Sequence, residues 1–282
     1  MDRPLIGFIG QGFVGKNYAD DFEERGYSIV RYSLEETYIN NKEKIADCDI
    51  VFVAVSANTY PEGFDDRNIR SGLAIIGKGK IAVIKSTLLP GMTKTLQNDF
   101  PLITILFSPE FLSKATAAHD AANPFSNIVG LPVDDELHRI AAVYVQNILP
   151  SAPFTLTCSS DEAEIVKYAH NIAGFVQVVT FNLIYETAQS LGHDWENIKK
   201  ALDANPFVSK SYINPVHKTG RGAGGPCFIK DFAAFVNVYE KLVGDKDGLA
   251  VLRAFEEKNK KLLKNSNKDI DLLEEVYGPL NK

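Results

Sequence analysis

The stretch that decides the fold is Leu5-Ile-Gly-Phe-Ile-Gly10-Gln-Gly12-Phe-Val-Gly15, close to the start of the 282-residue chain. An apolar run ends in the spacing Gly-x-Gly-x-x-Gly, and a helical pattern follows. In such a unit the first glycine makes a tight turn, the second lets a pyrophosphate approach, and the third lets helix and strand pack closely. The helix N-terminus then offers N–H groups to the phosphates. The stretch therefore predicts a dinucleotide-binding βαβ unit.

Further apolar runs follow at the spacing of a doubly wound fold. They are nearly continuous rather than alternating, which is typical of strands in a parallel sheet covered on both faces. The predicted strands are Leu5–Ile9, Ser28–Tyr32, Ile50–Val55, Ile81–Ile84, Ile103–Phe107, Asn127–Leu131 and Phe154–Thr157. Because the intervening segments are long enough for crossover helices, residues 1–158 are predicted to form a Rossmann-type parallel sheet that binds the dinucleotide.

The pattern changes after Cys158. From Ser159 to Leu191 the chain has no Pro and one Gly, so one helix of about thirty residues is expected to bridge two domains. Further helices are predicted over Trp195–Ala204, Asp231–Leu242 and Leu249–Lys264, with a Gly-rich loop over Thr219–Pro226. Residues 159–282 are thus predicted to form a mostly helical substrate and dimerisation domain, in which residues 265–282 are charged and poorly patterned.

Composition narrows the class of protein. The chain carries a net charge of −6 and is 45% hydrophobic, whereas nucleic-acid binding needs clustered Lys and Arg. We expect no nucleic-acid and no membrane partner. No secretory leader or long apolar run is visible. The three cysteines have no metal-ligand spacing, so the sequence predicts a cytoplasmic protein without structural disulfides or a bound metal.

The second informative stretch is Gly220-Arg-Gly-Ala-Gly224-Gly225-Pro-Cys227-Phe-Ile-Lys230-Asp231. Glycines let a backbone wrap closely around a bound molecule. They precede a thiol that is followed by a cation and a carboxylate. A helix starting near Cys227 and a nearby lysine would raise the thiolate fraction, as nucleophilic catalysis requires. The alternative for a single cysteine is a buried, inert thiol in a tight turn.

A third pattern lies on the predicted long helix. Lys167 and Asn171 are four residues apart and share one face. A positive charge and an amide on one face can stabilise a developing oxyanion. Glu164 lies one turn before Lys167, and we expect these two side chains to pair.

These motifs together resemble a known family. The stretch GRGAGGPCFIKD (220–231) is similar to the GxGxGGxCFxKD signature of the UDP-glucose and GDP-mannose dehydrogenase family. KSTLLPG (85–91), SPEFL (108–112) and AEIVKYAHN (163–171) resemble further motifs of that family in the same order. The resemblance extends from about Leu5 to Lys264.

The resemblance implies the oxidation of a nucleotide-sugar primary alcohol to a carboxylate, with two hydrides passed to NAD. Cys227 would form a thiohemiacetal and then a thioester with the substrate. Lys167 and Asn171 would hold the oxyanion, and Asp231 would hold a water or assist proton transfer. Thr87 and Glu110 would position the water and the nicotinamide, and Lys230 would approach phosphates.

Binding residues follow from the same motifs. The predicted cofactor contacts are Gly10, Gly12, Phe13, Val14, Gly15, Ser33, Val55, Ser86, Thr87 and Lys230. The predicted substrate contacts are Glu110, Phe111, Leu112, Lys167, Asn171, Gly222, Gly224 and Gly225. The family also implies a homodimer.

The chain departs from the family pattern at several positions. Ser33 stands where an acid usually binds the adenine ribose, which leaves NADP possible beside NAD, and Arg31 would matter only if its side chain faced that site. Lys114, Asn127 and Ile229 replace a family glutamate, arginine and proline. Family members continue into a third, nucleotide-binding domain where this sequence ends, so the substrate could be smaller or held differently.

Two other interpretations remain open at the level of sequence. One is a two-electron NAD(P)-dependent dehydrogenase of a smaller hydroxy acid or nucleoside-type substrate that uses Lys167 and Asn171. The other is a cofactor-binding protein without turnover. Replacement of Cys227 separates them, because only the covalent mechanism requires the thiol.

Overall fold

The apolar runs of the N-terminal part form one seven-stranded sheet in the computed structural model, which describes residues 3–279. The strands are β1 Ile6–Ile9, β2 Ile29–Tyr32, β3 Ile50–Val53, β4 Asn58–Tyr60, β5 Gly63–Asp65, β6 Ile81–Ile84, β7 Thr104–Phe107, β8 Ser126–Leu131, β9 Phe154–Ser159, β10 Val216–His217 and β11 Gly220–Arg221. The order in the seven-stranded sheet is β2-β1-β3-β6-β7-β8-β9. Two short hairpins, β4–β5 and β10–β11, lie outside this sheet. The predicted α/β fold class is confirmed.

One pairing in the sheet differs from the prediction of a parallel sheet. Strand β8 runs antiparallel to β7, with Phe107 opposite Gly130, whereas β8 and β9 are parallel. The link between β7 and β8 contains a six-residue helix, Ala117–Ala122, and leads the chain into β8 against the direction of β7. A continuous apolar run looks the same in both directions, so the sequence did not reveal this.

Ten α-helices complete the description of residues 3–279. They are α1 Phe13–Glu24, α2 Arg67–Leu73, α3 Met92–Asp99, α4 Ala117–Ala122, α5 Glu136–Ile148, α6 Ser160–Ser190, α7 Trp195–Asp203, α8 Pro226–Leu242, α9 Lys246–Asn265 and α10 Ile270–Tyr277, with 3₁₀ segments at Ile39–Asp47 and Lys210–Tyr212. The predicted long helix is α6, which has 31 residues. None of the helices in this part of the chain is both long and apolar enough to cross a bilayer.

Two helix predictions were wrong at the C-terminal end. Helix α8 begins at Pro226, five residues before the predicted start, because proline fits the first turn of a helix well. The segment expected to be poorly patterned contains α10, which buries Leu273 and Val276. These residues are three apart, so they face the same side of a short helix. Residues 280–282 of that segment lie outside the described residues.

The chain divides into two compact units. The first contains the residues up to Asn58 together with Asp65–Lys167, and the second contains Thr59–Phe64 and the chain from Tyr168 onward. The division therefore falls inside α6 rather than at residue 158. The first unit has a core that includes stacked Phe8 and Phe52. The second has a core that includes stacked Phe175 and Phe232.

Candidate active site

The three glycines after β1 have different surroundings in the first unit. Gly10 has a φ of +92°, and a Cβ there would collide with the Ala54 carbonyl. A Cβ on Gly15 would collide with the Gly10 carbonyl. Gly12 is the N-cap of α1, and a Cβ there would meet nothing within 4 Å. The chain itself thus requires glycine at the first and third positions, whereas Gly12 leaves open space that a bound pyrophosphate would fit.

The sheet order places this glycine loop at a topological switch point. Strand β1 lies between β2 and β3, so the chain leaves β1 toward one edge of the sheet and later continues toward the other. Ligands of open α/β sheets bind at such points, beyond the carboxyl ends of the strands. Val55 and Ser86 follow β3 and β6 at this end, and the Ser86 Oγ donates a 2.7 Å hydrogen bond to the Val55 carbonyl. Thr87 comes next and is half-buried.

The position after β2 carries Ser33, whose Oγ accepts a hydrogen bond from the Glu35 amide. Arg31 lies within β2, and its guanidinium is held by two carboxylates of α1. The Asp20 carboxylate is 2.7 Å and the Glu23 carboxylate 2.8 Å from its terminal nitrogens. The guanidinium also lies 3.4 Å from the Gln11 side-chain oxygen, next to the glycine loop. Arg31, the cation within β2, is therefore already paired with carboxylates.

Lys167 forms a buried ion pair with Glu110. Its Nζ donates to the Glu110 carbonyl at 2.6 Å and to the Glu110 Oε1 at 3.0 Å. The other carboxylate oxygen of Glu110 accepts from the Leu112 amide at 2.8 Å. The Phe111 ring lies 5.4 Å from the ammonium. Two predicted catalytic residues and two predicted substrate contacts therefore lie together in the first unit.

The expected pairing of Glu164 with Lys167 was wrong. Glu164 is fully buried, and its carboxylate accepts from the amide of Gly91 at 2.6 Å and from the amide of Thr93 at 2.8 Å. The Thr93 hydroxyl donates to the same carboxylate at 2.6 Å. These groups belong to the N-terminal turn of α3, whose N–H groups attract an anion. Glu164 thus caps α3 from α6, while Lys167 pairs with Glu110.

Lys85 is a buried cation whose environment was not predicted from the sequence. It directly follows β6, its Nζ donates to the Ser108 Oγ at 2.9 Å, and it lies 4.5 Å from the Tyr18 ring centre. Burial lowers the pKa of Lys85 from 10.5 to about 7, an effect that Lys167 reinforces and Glu110 opposes. Burial raises the pKa of Tyr18, and Glu110 adds to that rise. The sequence signal that could have indicated this buried cation is a lysine directly after an apolar strand.

In the second unit, Asp231 is buried between two polar side chains. The Asn171 Nδ2 donates to its Oδ2 at 2.6 Å, and the Lys230 Nζ donates to its Oδ1 at 2.7 Å. Asp231 is only 1% exposed, so these charge-assisted bonds offset the cost of burying a carboxylate. The predicted catalytic residues Asn171 and Asp231 are therefore in direct contact, with Lys230 on the other oxygen.

Cys227 is the second residue of α8 and the most accessible of the three cysteines. Its thiol lies in the first turn, where the helix dipole favours a thiolate. Cys227 is exposed, whereas Cys158 is half-buried and Cys48 is fully buried. Burial raises the pKa of Cys158, and it raises that of Cys48 to about 11. Of the three thiols, only Cys227 combines access to reagents with a helix N-terminus.

The glycines before Cys227 have surroundings that differ from the expectation of a ligand-wrapping loop. A Cβ on Gly224 would collide with Asp269 and would come 2.7 Å from the Lys268 side chain. Gly222 has a φ of +92°, and its Cβ would contact Asn259 and α9. Gly225, the N-cap of α8, has a φ of +81° and open space around its Cβ. Among the predicted substrate-contacting glycines, Gly222 and Gly224 face the chain itself and Gly225 faces open space.

Two departures from the family pattern have structural explanations. Asn127 is buried, and its Nδ2 donates to the Pro150 carbonyl at 2.6 Å, so it ties β8 to the turn before β9. Ile229 is 1% exposed and packs in a small core with Leu263 and Leu273. Both side chains stabilise the fold around them.

The glycine loop at the switch point and the sheet order define a Rossmann-type α/β protein. The sequence model of the UDP-glucose/GDP-mannose dehydrogenase family, central domain, matches residues 161–261. The resemblance to this family that the motifs indicated is therefore confirmed.

Known proteins extend the similarity beyond that segment. The UDP-glucose 6-dehydrogenase of Campylobacter jejuni is 30% identical over 220 residues, which are 75% of this chain and 53% of that protein. The UDP-glucose 6-dehydrogenase of Streptococcus pneumoniae is 31% identical over 226 residues, which are 77% and 53%. The chain thus spans about half the length of these relatives.

Solved structures share the fold. A UDP-glucose dehydrogenase from Pyrobaculum islandicum aligns with a TM-score of 0.80 and 23% identity, over 99% of this chain and 72% of that one. The 3-hydroxyisobutyrate dehydrogenase of Mycobacterium tuberculosis aligns with a TM-score of 0.71 and 15% identity, over 98% and 99%.

Thiol exposure generates the first prediction. Iodoacetamide at about pH 8 should modify Cys227 at least about tenfold faster than Cys48, because only the thiolate reacts and the Cys48 thiol is buried. The measurement is peptide mass spectrometry over a time course. The Cys227→Ser variant is the control, since it should lose the fast phase. Equal rates at the two sites would contradict the thiol environments described here.

The Lys85 environment generates a pH-dependent prediction. Between about pH 7 and about pH 10 the folded chain holds Lys85 neutral while the unfolded chain still binds the proton, so wild-type stability rises with pH in this window. Lys85→Met has no such proton. Its free energy of unfolding relative to wild type should therefore fall by about 1 kcal/mol for each pH unit across the window.

Urea denaturation at several pH values checks this, with the exposed Lys78→Met as the matched control. The control should show a difference from wild type that does not change with pH. If the difference in unfolding free energy between Lys85→Met and wild type is also independent of pH, Lys85 keeps its charge on folding.

Proposed function

We propose that the protein oxidises the primary alcohol of a nucleotide sugar to a carboxylate, with NAD as hydride acceptor and Cys227 as covalent nucleophile. The observation that carries this proposal is the exposed thiol in the first turn of α8, inside the matched family segment and three residues before the Lys230–Asp231 pair. Its relatives are UDP-glucose dehydrogenases, so a UDP-sugar is the substrate class we favour.

The residues that would hold the dinucleotide lie after β1, β2, β3 and β6. The open space at Gly12 and the first turn of α1, with Phe13 and Val14, fit a pyrophosphate. Val55, Ser86 and Thr87 would face the nicotinamide half, and Ser33 the adenine ribose. When bound, the dinucleotide supplies hydride acceptance, which no side chain provides.

The covalent step belongs to Cys227. Its thiolate adds to the carbonyl carbon of the aldehyde formed in the first oxidation, and the carbonyl oxygen becomes an oxyanion. Lys167 and Asn171 would stabilise that oxygen by charge and hydrogen bonding. Oxidation of this adduct gives a thioester. Water then cleaves the bond between sulfur and carbon, which releases the acid and returns the thiol.

The buried pairs constrain the remaining roles. Asp231 is held by Asn171 and Lys230, so its carboxylate is fixed in orientation and could receive a proton from the attacking water. Glu110 pairs with Lys167 within the first unit and would orient its ammonium. Phe111 and Leu112 follow Glu110 and would contact the sugar.

We infer that the first unit binds the dinucleotide and that the second carries the thiol and the glycine loop before it. A homodimer agrees with the family resemblance, and a cytoplasmic location agrees with cysteines that form no disulfide. Sedimentation and localisation of the full protein test these two points.

Pairing of Arg31 favours NAD over NADP. A 2′-phosphate is usually recognised by a free cation near the end of β2, and here Asp20 and Glu23 hold the guanidinium. The double change Asp20→Asn with Glu23→Gln should shift the ratio of dissociation constants about tenfold toward NADPH. A charge-assisted hydrogen bond of about 1.5–3 kcal/mol to phosphate gives that magnitude.

Fluorescence titration with NADH and NADPH measures this ratio without any need for turnover. Glu24→Gln, an exposed change on the same helix, is the matched control and should leave the ratio unchanged. If the double variant also leaves the ratio unchanged, Arg31 does not set cofactor preference.

The reaction type is tested by stoichiometry. The wild type should reduce two NAD per acid formed from a UDP-sugar, and Cys227→Ser should lower acid formation by at least about 10³-fold, because a serine hydroxyl is a far weaker nucleophile than a thiolate. Cys158→Ser, at a half-buried thiol, is the control and should retain activity. The measurement combines NADH absorbance with product analysis over a panel of nucleotide sugars and hydroxy acids.

The alternatives predict other outcomes of the same assay. One NAD per turnover, with no effect of Cys227→Ser, would indicate a two-electron dehydrogenase of a smaller substrate. Dinucleotide binding with no reduction by any substrate would indicate a binding protein. Either result would overturn the covalent mechanism.

A further inference from the structure

The loop Gly220–Gly225 before Cys227 has its backbone amides held by side chains from a distant part of the sequence. The Arg221 amide donates to the Ser266 Oγ at 3.0 Å, and the Gly225 amide donates to the Asp269 Oδ2 at 2.8 Å. Between them, the Ala223 amide donates to the Asn259 Oδ1 at 2.7 Å. Alternate amides of the loop are therefore bound by the end of α9 and the turn that follows it.

The carbonyls of the same loop are bound from the same side. The buried Lys268 Nζ donates to the Gly222 carbonyl at 2.8 Å and to the Gly220 carbonyl at 3.4 Å. The Asn259 Nδ2 donates to the Ala223 carbonyl at 3.0 Å. A loop built from glycines has a large conformational entropy when free, and these bonds confine it to one path.

The loop and the turn are also too close for side chains on the loop. A Cβ on Gly220 would lie 2.6 Å from the Ser266 side chain, and one on Gly224 would collide with Asp269. Two of the four glycines are thus explained by the approach of the turn. Gly222 meets α9 instead, and Gly225, the glycine nearest to Cys227 in sequence, faces open space.

The turn lies outside the segment that the central-domain model of the family matches. That match ends at residue 261, whereas Ser266, Lys268 and Asp269 follow it. Asn259 is the one member of this group inside the matched segment.

We propose that Ser266–Asp269 is a clamp that fixes the Gly220–Gly225 loop and thereby positions the Cys227 thiol for covalent catalysis. The catalytic half of this inference rests on the proposed function. The clamp side chains bond the loop backbone and are positioning residues. Helix α8 starts at the residue after Gly225, so a shift of the loop moves its first turn and the thiol with it. Small displacements of a reacting group cost large factors in rate.

The ratio of the rates of the two oxidation steps distinguishes a displaced thiol from a general loss of stability. The first oxidation, from alcohol to aldehyde, does not need the thiol, whereas the second does. A displaced Cys227 should therefore slow acid formation selectively and release aldehyde. A variant that is merely less stable would lower both steps together.

The test uses the full chain in four variants. Lys268→Met removes both bonds to the loop carbonyls and keeps an unbranched side chain of similar bulk, and Lys268→Arg keeps the charge. Ser266→Ala removes the acceptor of the Arg221 amide and is a smaller change that should still fold. Lys264→Met, at an exposed lysine in the last turn of α9, is the matched control.

Hydrogen exchange of the loop peptide and product analysis are measured together. We expect exchange at residues 220–225 to be at least about tenfold faster in Lys268→Met and at the Arg221 amide in Ser266→Ala, since each loses bonds that restrict opening. Acid formation from the aldehyde should fall about tenfold in Lys268→Met while the first oxidation changes less than about twofold. Lys268→Arg should restore most of both, and Lys264→Met should resemble wild type.

The outcomes separate the clamp from the proposed reaction. Unchanged loop exchange in both Lys268→Met and Ser266→Ala would overturn the clamp. Faster exchange with equal losses in both oxidations would overturn its positioning role. Faster exchange in a protein whose wild type oxidises no nucleotide sugar would support the clamp as a structural device and contradict the proposed function.

Discussion

The burial of charged side chains at the start of α6 is the constraint on which the first unit depends. A buried ion must find a partner with good geometry, because desolvation otherwise costs more than the fold can offset. Glu164 finds its partners in the first turn of α3, after β6, and Lys167 finds its partner in Glu110, after β7. These two side chains therefore fix the loops at the carboxyl ends of neighbouring strands. The same end of the sheet carries the glycine turn after β1, so one helix orders the region where a dinucleotide would bind.

Hydrogen bonds between polar side chains also fix the position of three motif residues in the second unit. Asn171 and Lys230 each bond one oxygen of Asp231, so the three side chains hold one another in place. Preorganised groups avoid the reorganisation that solvent would require during reaction. Cys227 is exposed, and its place in the first turn of α8 follows directly from the loop that precedes it. That loop is bonded in turn by side chains that follow α9.

Local signals in the sequence predicted the strands, the long helix and the motif residues. They failed where contacts between distant parts of the chain determine strand direction or side-chain pairing. Continuous apolar runs located β1, β3, β6 and β7 within one or two residues, but such runs carry no direction, so the reversal of β8 was missed. Spacing on a helix suggested that Glu164 meets Lys167. A partner 71 residues away in sequence took that carboxylate instead. The bonds of Ser266 and Lys268 to a loop about forty-five residues earlier have no local signature, and the polar turn after α9 looked unstructured.

The two glycine motifs share a structural feature that the amino-acid sequence alone does not show. In each, most glycines are required because the chain approaches itself: Gly10 and Gly15 meet backbone near β3 and β1, and Gly224 meets the turn after α9. In each, one glycine faces open space, Gly12 in the first motif and Gly225 in the second, and both are the N-caps of helices. A helix N-terminus with an unobstructed approach suits an anion at α1 and a thiolate at α8. Gly225 has a φ of +81°, which favours glycine by itself, whereas Gly12 has neither a positive φ nor a crowded Cβ. Gly12 is therefore the glycine whose presence a bound ligand would explain.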